Sequence, residues 1–160
     1  MLSDIIFELA RRLADVERRL NNIIRPARVV AVDPEKGLAE VAFALDENDE
    51  DVTTIMLPWV ERAGKIKTWE PPSVDEQVIL VSPSGEIGAS SWIMRGGFTD
   101  KYPKPHNKEG EYMIQIGNSY ILHKEDSLEM HIPGNVKVTA QRVDFEQGGG
   151  GSGSSGVPMA

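Results

Sequence analysis

The hydrophobic pattern of the chain changes twice. Over the first residues apolar side chains fall at Leu2, Ile6, Leu9, Leu13, Val16, Leu20 and Ile23, in alternating steps of four and three. That 3.5-residue repeat predicts an α-helix carrying a narrow seam for another helix, a coiled-coil pattern. Ser3 can cap the helix, Asp4 suits its N-terminus, and Pro26 is expected to end it. Ile6, Leu13 and Leu20 take heptad position a, and Leu2, Leu9, Val16 and Ile23 take d. Leucine at a with β-branched residues at d favours three or four strands over two. Ile5 and Ile24 widen the apolar face, and Arg12 at g and Glu17 at e have the offset that pairs neighbouring parallel helices.

After Pro26 the period becomes two, the signature of strands with one buried face. Strands are expected over Arg28–Val32, Leu38–Leu45, Val52–Val60, Gln77–Ser82 and Ser91–Arg95, bounded by turn-forming residues at Asp33–Gly37, Pro83–Gly85 and Gly96-Gly97. Five short strands without an intervening long helix suit an OB-type barrel over residues 26–100, with Trp59, Trp69 and Trp92 as plugs of the barrel or its rim. Residues 101–110, with Pro103 and Pro105, read as an extended linker. A ladder follows over 111–146, with strands expected at Tyr112–Ile116, Ser119–His123, Ser127–Ile132, Val136–Ala140 and Arg142–Phe145. These strands are too short and too few to bury a core alone. Three copies around one axis could do so, as a β-helix or β-prism. The fold class expected is therefore mainly β: an N-terminal trimeric coiled-coil helix over 1–25, an OB barrel, and a trimeric β-helical spike. Residues 147–160 are Gly- and Ser-rich, flexible by composition, and look in part like an appended linker.

The trimer interface expected from this pattern comprises Leu2, Ile6, Leu9, Leu13, Val16, Leu20 and Ile23 on the helix, and Leu122, Leu128, Met130, Ile132, Val136 and Val138 on the ladder.

Composition narrows the chemistry. The 160 residues carry 17 Lys and Arg against 25 Asp and Glu, a formal net charge of −8. Six arginines and four acids lie in residues 1–28, so the acidic excess sits in the remainder. An acidic barrel repels phosphate, and Lys65 and Lys67 are its only close pair of bases, so nucleic acid is not an expected partner. The run Asp46–Asp51 reads as a solvated loop, lacking the glycine and distal glutamate of a calcium loop. With no cysteine there are no disulfides, thiolate sites or cysteine nucleophiles. The N-terminal segment carries too much charge for a signal peptide, and no apolar run approaches the roughly 20 residues needed to span a bilayer. No catalytic residues are expected: the acids lie in loops without an apolar cleft around a pair, and Ser82–Gly85 is not a nucleophile elbow.

Several motifs occur in order along the chain: Leu57-Pro58-Trp59, Arg62-Ala63-Gly64, Thr68-Trp69, Pro72 to Val78, Ser82-Pro83-Ser84-Gly85-Glu86 and Gly96-Gly97. With them, residues of about 26–146 resemble the phage baseplate assembly protein V family, which contains the central spikes of contractile phage tails and tailocins. The stretch Gly117–Ala140 resembles the opening of that family's spike. The resemblance implies a homotrimer with a helical part, an OB domain and a β-helical needle. Such a needle sits at the baseplate centre, is held by tail-hub proteins and is driven through the host outer membrane when the sheath contracts. Two departures stand out. Asp75 occupies a position where relatives more often have glycine. The family's tip commonly binds iron through a His-x-His pair, whereas His106, His123 and His131 are far apart here, so no metal or other cofactor is expected: either the natural tip has been replaced by the Gly/Ser segment, or this member ends bluntly or under a capping protein. The competing reading is an oligomeric OB-fold adaptor for baseplate or secretion-apparatus assembly that pierces nothing.

Overall fold

A computed structural model describes residues 2–145. The chain divides into two compact units, Met1–Asn107 and Lys108–Ala160.

In the first unit, helix α1 spans Leu2–Asn22. It stops before the last predicted seam residue, so Ile23 lies outside the helix and is only half-buried. Strand β1 (Ile24–Asp33) begins at once, and Pro26 lies inside that strand rather than ending the helix. The proline is tolerated because β1 changes partners along its length. Its first half, Ile24–Arg28, pairs with β5 (Gln77–Val81), and its second half, Arg28–Asp33, pairs with β2 (Leu38–Leu45). Pro26 therefore has a sheet neighbour on one side only, where its missing N–H costs least.

The expected strand over 52–60 is two short pieces, β3 (Asp51–Thr53) and β4 (Leu57–Pro58), both paired with β2. Between them Thr54 is buried. Its amide donates to the Val41 carbonyl (2.9 Å) and its hydroxyl accepts from the Val41 amide (3.2 Å), so the break leaves no backbone group unpaired at that point. Strand β6 (Trp92–Arg95) pairs with β5, and a parallel bridge between Trp59 and Ile93 joins the end of β4 to β6. The circuit β1-β2-β4-β6-β5-β1 closes a small barrel of OB type. Val29, Val41, Leu57, Val78, Leu80 and Ile93 fill it, each essentially inaccessible.

Of the three tryptophans only Trp59 packs against this core. Trp69 leans on Trp59 from outside, centroids 5.3 Å apart, and both Trp69 and Trp92 are exposed. Five aliphatic strands already fill the small interior, leaving no room for an indole plug.

The second unit contains a three-stranded antiparallel meander, β7 (Tyr112–Ile116), β8 (Ser119–His123) and β9 (Leu128–His131). Ile132 lies just beyond β9, and residues 136–145 form no strand, contrary to expectation. Short segments after a Pro-Gly-Asn turn have no neighbouring strand within one chain to satisfy their backbone groups. The Gly/Ser-rich stretch 147–160 falls outside the described residues. No described helix is long and apolar enough to cross a membrane.

Candidate assembly surfaces

Helix α1 buries none of its residues. Leu2, Ile6, Leu9, Leu13, Val16 and Leu20 are all more than half exposed, so the seam is one continuous open stripe. Ion pairs lie beside it. Glu8 accepts from Arg11 and Arg12, and Asp15 from Arg18 and Arg19. The guanidinium hydrogen bonds hold both carboxyls below their ordinary range, Arg11 first for Glu8 and Arg18 first for Asp15. Within its own helix Arg12 pairs with Glu8, one turn back.

The root of the helix is fixed by the Ser82–Glu86 segment. The Ser82 amide donates to the Ile23 carbonyl (2.8 Å), and the buried Ser82 hydroxyl meets that of Ser91 (2.8 Å). Gly85 has φ +69 and lies against Arg19: a Cβ there would fall 2.3 Å from the Arg19 carbonyl oxygen. Glu86 completes the joint with an ion pair to Arg19 (2.9 Å). The Ser-Pro-Ser-Gly-Glu motif is therefore the socket of the helix.

A second motif has an equally local role. Asp75 adopts φ +69, a left-handed conformation that Asp tolerates better than most residues, so the turn forms here without glycine. Its carboxylate receives Lys101 Nζ and Arg28 Nη1, and these two hydrogen bonds, Lys101 first, hold it below its ordinary range. Arg28 also reaches Asp51, and the Tyr102 hydroxyl donates to the Val74 carbonyl (2.7 Å). The first residues of the expected linker are thus strapped to the barrel, and the boundary between the units falls later, after Asn107.

Beside Trp59 a cavity of about 190 Å³ is lined by Val60, Pro71, Pro72, Ile93 and Met94, with Glu70 and Arg95 paired at it. Glu61 organises the neighbouring loop. It accepts from the Thr68 hydroxyl, the Glu70 amide and the Trp59 indole, with the Thr68 bond the largest influence depressing its carboxyl. Its oxygens are engaged in holding that loop. Among the described residues no group of three His, Asp or Glu is placed to hold a metal ion.

In the second unit the register sorts side chains onto two faces, because directly paired residues point the same way and neighbours along a strand point oppositely. One face carries the rows Tyr112/His123/Leu128, Ile114/Ile121/Met130 and Ile116/Ser119. The other carries Met113/Leu122/Glu129 and Gln115/Tyr120/His131. Tyr120 and His131 stack with centroids 5.2 Å apart, as residues of one face should. Leu128 and Met130 therefore share the first face, while Leu122 points from the second and is only 7% exposed within its own chain. Within one chain these expected interface residues divide between the two faces. Ile132, Val136 and Val138 are exposed beyond the sheet. Tyr112, Ile114, Ile116 and Ile121 belong with Leu128 and Met130 and were absent from the expected interface. Alternation alone could have found them once the turn at Gly117-Asn118 set the pairing.

The geometry of the barrel agrees with comparisons to known proteins. The family of type VI secretion system/phage-baseplate injector OB domains matches residues 25–95. The chain is also similar to the spike protein of Escherichia phage P2, 30% identical over 129 residues, covering 80% of this chain. It spans 58% of the length of that relative. The barrel closed in the OB order over the matched segment identifies residues 25–95 as an OB domain of that injector family.

Proposed function

We propose that the chain is a structural protein of a contractile phage tail or tailocin, a homotrimeric spike at the baseplate centre that is driven through the host outer membrane on sheath contraction. The observation that carries this reading is that two apolar surfaces, the α1 seam and one face of the β7–β9 sheet, are both left open by the single chain. Exposed apolar stripes of this kind mark association sites, and the 3.5-residue spacing of α1 is that of a helix meeting copies of itself. Similarity to a phage spike protein supports the same reading. The barrel supplies a rigid collar for contact with other baseplate proteins, and the work is mechanical, with no catalytic group or cofactor assigned.

Sedimentation equilibrium tests the assembly. The expected mass at micromolar concentration is three times 17.6 kDa. A stable monomer would sink the spike reading. A trimer whose omission from otherwise complete tail particles leaves envelope permeabilisation intact would instead favour the adaptor.

A further inference from the structure

The apolar face of the β7–β9 sheet contains one titratable group besides the Tyr112 phenol. His123 stands in the row Tyr112/His123/Leu128, next to the row Ile114/Ile121/Met130. The only other polar side chain on this face is Ser119. The remaining histidine of the sheet, His131, is on the opposite face, stacked on Tyr120.

No acid, lysine or arginine stands in the paired rows of the apolar face, and Glu111, Lys124 and Glu125 meet it only at the hollow beside His123, so over most of its area a charged or headgroup-bearing partner would find nothing to pair with. The surface that complements it is another surface of the same kind. The same chain carries a second self-complementary stripe on α1, so one occupant, further copies of this chain, satisfies both. This step rests on the self-assembly proposed above.

We propose that closure of this face between copies is controlled by protonation of His123. In a single chain the imidazole is exposed to water, in a hollow also lined by Glu111, Tyr112, Lys124 and Glu125. Both carboxylates and the open solvent can accommodate an imidazolium there. Across the sheet it is flanked by the Tyr112 phenol on β7 and the aliphatic Leu128 on β9. When copies cover the face, the ring leaves water for an apolar surface, which disfavours the charged form. Assembly therefore expels a proton from every copy that is charged. Where the exposed ring carries its proton, each further pH unit of acidification weakens closure by up to about tenfold per buried imidazole. The contact is firm at neutral pH and opens under acid conditions.

The α1 seam can hold copies together regardless of pH, so the readout must be local. Hydrogen exchange of the amides in residues 112–131 of the full chain is measured at pH 7.5 and 5.0, corrected for intrinsic rates, with sedimentation run in parallel. Protection in the wild type should fall at least about tenfold at pH 5.0. His123→Gln, neutral at both values, and His123→Phe should keep the same protection at both, while His131→Asn should behave as wild type. Wild-type protection that does not change with pH in a multimeric protein overturns this inference and leaves the spike reading standing. An equal loss in both His123 variants overturns it as well. A monomer at pH 7.5 removes the self-assembly on which it rests.

Discussion

Gly85 and Arg19 touch backbone to backbone, with space for a hydrogen atom on Gly85 and nothing larger: a Cβ would lie 2.3 Å from the Arg19 carbonyl oxygen. The contact fixes where the exposed helix leaves the barrel. Gly85→Ala meets two penalties together, a left-handed φ and a backbone clash that no rotamer relieves. The expected cost is about 2 kcal/mol or more of unfolding free energy. Chemical denaturation measures it, and hydrogen exchange should show the loss concentrated around residues 19–24. A variant as stable as the wild type would mean that the helix root moves freely.

Asp75 should make stability depend on pH in a defined direction. Its carboxyl is depressed in the folded chain by Lys101 and then Arg28. A depressed acid contributes stability that is complete above its unfolded value, near 3.9, and is lost as pH falls through the lower folded value. Asp75→Asn keeps the residue's tolerance of φ +69 but removes the charge. Its thermal midpoint should lie below that of the wild type at neutral pH, and the gap should close on acidification below about pH 4. A gap constant with pH would remove the ion pairs as its cause.

Leu13 sits in the middle of the open α1 seam. Leu13→Asp should raise the concentration needed for assembly by at least about tenfold, since burying an unpaired carboxylate is expensive. The barrel's thermal transition should be unaffected, because Leu13 does not belong to its core. Sedimentation velocity and circular dichroism separate these outcomes, and unchanged assembly would contradict the heptad argument.

Ile114 and Gln115 are neighbours on β7 that point to opposite faces. Ile114→Lys should abolish protection of the β7–β9 amides in the assembled protein, whereas Gln115→Lys should change stability by no more than about 0.5 kcal/mol. Equal effects from the two would show that the faces are wrongly assigned.

Much of this molecule was legible in its residues. The alternation of Leu38–Leu45, Gln77–Val81 and Tyr112–Ile116 located strands within a residue or two, because burial of one face imposes period two whatever the final topology. The helix was equally plain, but its end was not. Pro26 looked like a terminator, yet the chain leaves the helix at Ile23 because Ser82 captures the Ile23 carbonyl and β5 captures the next five residues. Those partners lie 49 to 59 positions away, and local propensity cannot anticipate them. Trp69 and Trp92 were misplaced for a related reason: aromatic character suggested burial, while the volume inside the barrel was already taken by Val29, Val41, Leu80 and Ile93, and only Trp59 packs against them.

By itself the sequence determined the kinds of element, the OB-domain family of residues 25–95, the absence of thiol chemistry and the presence of apolar seams with no mate in the same chain. These are properties of spacing and composition. Tertiary structure alone decided which apolar residues act together. Leu122 and Met130 look alike in the chain, but antiparallel register sends them to opposite faces of one sheet, because a residue's direction is set by its partner across the strand gap. The same register put His123 among Tyr112, Leu128 and their apolar neighbours, a placement visible only once the three strands are paired.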